Sequence, residues 1–171
     1  MGLFGASTHT LEDLFVHGIR TIYYAEAQIM HTLPKMIEKA TNPDLKAGFD
    51  LHLRETGDQY ARLERVFAIL GQDPEETTCP AIDGIITAAN ATVADIDDAS
   101  VRDAALAFGA QMVEHYEIAQ YGTLIAWARE LGREDAAAIL AETLAEEKAT
   151  DEKLTQLAEA RINRVAEQHT A

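Results

Sequence analysis

Acidic side chains recur in this chain where a helix would be expected to bury leucine. Glu26 stands between Ile22 and Ile29 at helical spacing from both. Glu114 and Glu117 lie between Ala110 and Tyr121, and Glu147 and Asp151 continue the row of Leu140 and Leu144 toward Leu154. Glu55 and Gln59 fall on the inner side of the segment carrying Phe49 and Leu63, although Thr56 is better centred there than either. Residues three and four apart share a helix face, so each of four segments brings at least one carboxylate to its apolar seam. The separation of Glu26 from Glu55 nearly equals that of Glu117 from Glu147. Two similar helical hairpins facing each other would therefore place these four acids at one level.

Ionised carboxylates clustered in an apolar core are costly and repel one another, so unless protonated they require cations. Too few basic residues share these seams to supply them, because Arg54 and Lys148 flank the acids but project outward. The pattern therefore points to metal. Oxygen ligands suit manganese, magnesium, calcium or ferric iron better than zinc, and carboxylates from four helices suit two ions ~3.5–4 Å apart. A single helical glutamate is ordinarily solvated, and a modest rotation would carry Glu114 or Asp151 outward. The argument rests on the set, and most firmly on Glu26 and Glu117, which have apolar residues on both neighbouring turns. His115, about 100° round the helix from Glu114, and His52, one turn before Glu55, are read as supporting or packing groups rather than ligands. Tyr23, Tyr24, Tyr116 and Tyr121 are read as wall aromatics, any one of which could hydrogen-bond a ligating carboxylate, and Trp127 as packing.

The elements that must position these residues are all helical. A first helix spans about residues 11–40, with Thr10 as N-cap and Glu12 and Asp13 in its first turn. Pro34 predicts a kink within it rather than a stop. A second runs from Pro43 to Leu70, with Gly71 suited to the position after its end. Residues 72–80 read as a loop, and "AIDGIITAANATVADI" as a shorter helix crossing the bundle. Ser100 is a candidate cap for a third long helix reaching Leu131 and ended by Gly132, and a fourth covers about Glu134–Val165. No strand pattern appears. Four helices of about 30 residues, each ~45 Å long, imply an all-α four-helix bundle with one long crossover carrying a short extra helix. A single domain is expected over residues 1–171, with its core at about 10–165.

Composition narrows the partners. With 29 Asp and Glu against 14 Lys and Arg, the formal charge is −15. Such a surface repels nucleic acid and anionic membranes and attracts cations. Cys79 is the one cysteine, which excludes an intrachain disulfide framework and a multi-thiolate zinc site. No stretch approaches the ~18 apolar residues of a membrane span. The segment "MGLFGASTHT" lacks the charged start and apolar run of an export signal, so a cytoplasmic location is expected. Its Met-Gly start with Ser7 resembles an acylation pattern only by chance.

The stretches "YYAEAQI", "HLRETGDQ", "VRDAALAFGAQMVEHYEIAQYGTL" and "TLAEEKATDEKLTQLA" together resemble the YciF-like bacterial stress proteins, a branch of the ferritin-like superfamily, over residues 10–160. The resemblance implies a ferritin-like bundle, a homodimer, a di-iron centre and a part in stress response. The wider di-iron pattern takes one glutamate from each of two helices and Glu-x-x-His from each of the other two. Glu26 and Glu117 match the single acids, and Glu55 and Glu147 the first members of the pairs. Three residues on stand Asp58 and Thr150 instead of histidines, so Gln59 and Asp151, at i+4, are the nearest substitutes, with Glu114 an additional acid. The expected ligands are Glu26, Glu55, Glu117 and Glu147, with Glu114, Gln59 and Asp151 completing the shell. They would hold two metal ions, iron or alternatively manganese. Such a centre would oxidise Fe(II) or consume oxygen or peroxide. The alternative is a non-catalytic helical stress or scaffold protein whose metal is structural.

Overall fold

The computed structural model describes residues 8–168. The N-terminal segment read above for export and acylation signals lies largely outside them. α1 (Leu11–Lys39) opens on a capping box in which the Thr10 side chain accepts from the Asp13 amide and the Asp13 carboxylate accepts from the Thr10 amide. Two of the free donors of the first turn are thereby satisfied. α1 continues past Pro34 without stopping. α2 (Pro43–Leu70) is capped by the Asn42 side chain, and Gly71 ends it at φ 65°, a left-handed conformation that glycine adopts without a Cβ penalty.

α3 (Pro80–Ala94) lies within the crossover to α4 (Ala99–Glu130). Cys79, expected in an open loop, is buried at the start of α3 with its Sγ 3.0 Å from the Tyr116 hydroxyl. The cap of α4 is Asp98 rather than Ser100, because its carboxylate is the group that reaches the amides of Ser100 and Val101. Ser100 lies inside the helix and donates its own hydroxyl to Asp98. α5 (Glu134–Leu157) does not continue as one regular helix to residue 165. A π-helical turn at Ala158–Ile162 intervenes before α6 (Asn163–Gln168), keeping Leu154, Ala158 and Ile162 buried in succession. No strand occurs among the described residues.

Each long helix packs on two others, in the cyclic order α1, α2, α5, α4, and α3 lies against α4 and α1. Contacts fix the directions. Thr41 beyond the end of α1 meets Asp103 near the start of α4, and Glu12 at the start of α1 meets Arg133 beyond the end of α4. Similarly, Gln59 meets Glu146 while Arg62 meets Thr143. Both pairs of helices are thus antiparallel, so α2 and α4 run the same way and their connection must travel the length of the bundle. Phe15, Ile19, Ile22, Phe67, Leu124 and Leu140 form part of the shared core. Gly18 lets α1 and α4 close up, since a Cβ there would meet Leu124 Cδ2 at 2.6 Å.

Asp103 shows what a buried acid with a purely structural task looks like. It is 4 % exposed, and it accepts from the Thr41 amide at 2.8 Å, the Thr41 hydroxyl at 2.6 Å and the Asn42 amide at 2.8 Å. It therefore clamps the α1–α2 turn to α4. Replacing it by alanine strands three donors, and Asp103→Ala should lower stability by about 3 kcal/mol in urea unfolding with little change in the denaturant slope. A loss under about 0.5 kcal/mol, the range of ordinary surface substitutions, would contradict the clamp.

Candidate metal centre

The inner row of α2 is Leu45, Phe49, His52, Thr56, Gln59, Leu63 and Val66, all buried and spaced alternately four and three apart. His52 belongs to this row. Glu55 is one residue off it, about 100° round the helix, and stays half-buried on the seam with α5. The corresponding rows carry Glu26 between Ile22 and Ile29 on α1, Glu114 and Glu117 between Ala110 and Tyr121 on α4, and Glu147 between Thr143 and Leu154 on α5.

His52, Glu114, Glu117 and Glu147 each offer a ligand atom within 4.8 Å of all the others, and all four are buried. Glu26 joins them from α1. It is fully buried, accepts a hydrogen bond from the Tyr121 hydroxyl and meets the Glu117 carboxyl. Of the four tyrosines considered from sequence, Tyr121 is thus the one on a cluster carboxylate. Donors are otherwise scarce. Both oxygens of Glu114, Glu117 and Glu147, together with Glu26 Oε2 and His52 Nδ1, are buried with no hydrogen-bond partner. Asp103, with three donors, marks the contrast: these acids are arranged for something other than protein N–H and O–H groups.

Electrostatics follow from that arrangement. Burial, and then the charge of Glu147, pushes the carboxyls of Glu26, Glu114 and Glu117 well above the ordinary carboxylate range. Burial likewise raises Glu147, to about 7, with the nearby Glu114 carboxyl and Gln59 side chain holding it back. His52 Nε2 lies 3.2 Å from Glu114 Oε1, and burial pushes its imidazole down to about 4. It is therefore neutral at physiological pH, the form that ligates metals.

The remaining candidates lie around this group. Gln59 is buried, its Nε2 donating to Glu146 Oε2 at 3.1 Å while its Oε1 has no partner. Glu146 is fixed in turn by a bidentate pair with Arg62. Asp151 is partly buried, its Oδ1 3.3 Å from Nε2 of the largely exposed His115. Glu55 is not brought into the convergent set, and His52, set aside in the sequence as supporting, is. The signal was present in the good centring of Thr56, since the residue four before it shares its face. Arg54 and Lys148 are exposed, as their positions implied.

Residues 10–167 match the family described as a domain of unknown function, DUF892. Protein YciF of Escherichia coli (strain K12) is 43% identical over 159 residues, 92% of this chain and 96% of that protein. The chain belongs to this YciF family. The crystal structure of the E. coli stress protein YciF superposes with a TM-score of 0.86 over 91% of this chain and 99% of its own. YcfI from Rhodopseudomonas palustris, described as a candidate structural protein, is 55% identical with a TM-score of 0.87, covering 89% and 97%. A protein from Xanthomonas campestris, 21% identical with a TM-score of 0.72, shares the fold over 92% of this chain and 97% of its own. The all-helical bundle is therefore that of solved YciF-family proteins.

The raised carboxyls give a pH signature to this member of the family. Between the unfolded value of 4.5 and their raised folded values, the native state binds more protons than the unfolded one. Metal-free protein should accordingly gain stability as pH falls from about 8 to about 5. His52, lowered from 6.5 to about 4, acts in the opposite direction, but it is one group against four. Melting temperatures in chelator across that range should rise toward acid, and Glu114→Gln should melt higher than the parent at pH 8 and show a flatter slope. A melting temperature that falls steadily toward acid would mean that the carboxylates are solvated.

Proposed function

We propose that this chain is a ferritin-like di-metal carboxylate protein that binds two iron ions, with manganese as the alternative, in the bundle core. The observation that carries the reading is the convergence of Glu26, Glu114, Glu117, Glu147 and His52 with almost no protein donor among them. Four carboxylates balance the charge of two divalent cations, which relieves the repulsion that otherwise holds their protons on. Glu117 and Glu147, with Glu114 and His52, would hold the metal. Tyr121 orients Glu26, and Gln59, itself fixed by Glu146, lies beside Glu147. The unpartnered Gln59 Oε1 is a further oxygen for the shell, and Asp151 and Glu55, which are not in the convergent set, would attract cations toward it.

Oxygen-rich coordination favours the ferric state. Bound iron would supply two electrons which, with two protons, reduce dioxygen to hydrogen peroxide or hydrogen peroxide to water. The E. coli relative is called a stress protein, and removal of Fe(II) or an oxidant fits that setting. We assign the chain to a cytoplasmic homodimer with one domain per protomer. The second reading is a non-catalytic scaffold with a structural metal, favoured by the description of the R. palustris relative as structural.

Metal analysis after iron loading tests the site. The parent should hold about two ions per chain, Glu117→Gln and Glu147→Gln should lose them, and Glu55→Gln should keep them. Equal trace metal in all four proteins would remove the proposal. Protein-dependent Fe(II) oxidation, absent from Glu147→Gln, separates the first reading from the scaffold, which predicts a metal-dependent melting temperature and no acceleration.

A further inference from the structure

Two small cavities lie end to end beneath α3. The inner, of about 20 Å³, touches His52 and Glu114, and the outer, of about 30 Å³, reaches the exposed Asn90. They share Thr32, Met36, Ile86 and Val113 as common walls. The Thr32 hydroxyl is spent on its own helix, donating to the Gln28 carbonyl at 2.8 Å, so the methyl is left to line the space. Apart from His52 and Glu114 at one end and Asn90 at the other, the lining is apolar. Gly109, on the outer wall, lets α3 sit this close, because a Cβ there would meet Ala89 Cβ at 2.9 Å.

A third cavity, of about 40 Å³, reaches the same His52 and Glu114 from the α2–α5 seam, but past Glu55, Thr150 and Lys153. Its walls, Phe49, Leu51, Ala110 and Leu154, are apolar too, and the two approaches differ in the charged Glu55 and Lys153 that stand on this one. Ions and peroxide, which need hydrogen-bonding partners, find charged ones beside the seam, whereas the stretch beneath α3 away from His52 and Glu114 offers small apolar molecules an apolar space.

We infer that the passage beneath α3 admits dioxygen to the buried cluster. The inference rests on the di-metal reading for its use, and it selects dioxygen as an oxidant with a dedicated route. Ile86, on α3 and shared by both cavities, is the residue at which the passage can be closed without touching a carboxylate.

The test begins without metal. Methyl NMR of the metal-free protein under dissolved oxygen should show stronger paramagnetic broadening at Ile86, Val113 and Met36 than at Ile69 and Leu144, which are partly buried like them but line neither cavity. Equal broadening at both sets would overturn the passage. In iron-loaded protein, Ile86→Phe should slow oxidation by dioxygen about tenfold and leave oxidation by hydrogen peroxide unchanged, while Ile86→Ala should slow neither. Equal slowing with both oxidants would also overturn it. Failure of the parent to bind metal would count against the di-metal reading alone, because the broadening is measured without metal.

Discussion

Bringing Glu26, Glu114, Glu117 and Glu147 into one buried volume is the costliest feature of this fold. A buried carboxylate normally finds several N–H donors, or a guanidinium, or keeps its proton. Here one tyrosine hydroxyl, on Glu26, is nearly all that these carboxylates receive from outside themselves. The rest of the bundle serves to hold that arrangement against its own repulsion. The apolar rows on the two sides of the cluster, Phe15 to Ile22 with Leu124 and Leu140 on one and Ile29, Leu33, Leu45 and Phe49 on the other, supply the burial that makes the helices close despite it.

The same constraint explains where the strong polar contacts lie. Asp103 clamps the α1–α2 turn at one end of the bundle, and Arg133 binds Glu12 at the other. Between them, Arg62 holds Glu146, which in turn holds the Gln59 amide. Each of these acids is neutralised by donors of its own. Arg62 stands only one side chain away from the cluster, yet it is engaged by Glu146 and Glu142 and leaves the inner carboxylates to a different kind of counter-charge.

The crossover shapes approach to the centre. Because α2 and α4 run in the same direction, the chain between them must traverse the bundle, and α3 covers the α1–α4 side on the way. That side becomes apolar. The α2–α5 seam has no such cover and keeps Glu55, Thr150 and Lys153 at its mouth. One face of the cluster thus lies under a helix and the other beside Glu55 and Lys153, a consequence of topology rather than of any single residue.

The amino-acid sequence by itself determined the helices and most of the acids, because a period of three and four is a local property. Glu26 and Glu117, bracketed by apolar residues on both turns, could only point inward, and Thr10, Asn42, Gly71 and Gly132 mark helix ends through short-range hydrogen bonds or a left-handed φ. Family resemblance was equally legible in contiguous stretches. Tertiary structure alone decided what a rotation of about 100° settles: whether α2 turns His52 or Glu55 to the centre, and whether Asp151 reaches it or stops beside His115. It also decided that Tyr121, of four similar tyrosines, meets Glu26, and that the terminal helix needs a π-turn to keep Ile162 inside. These depend on how closely helices distant in sequence approach, and no local spacing encodes that distance.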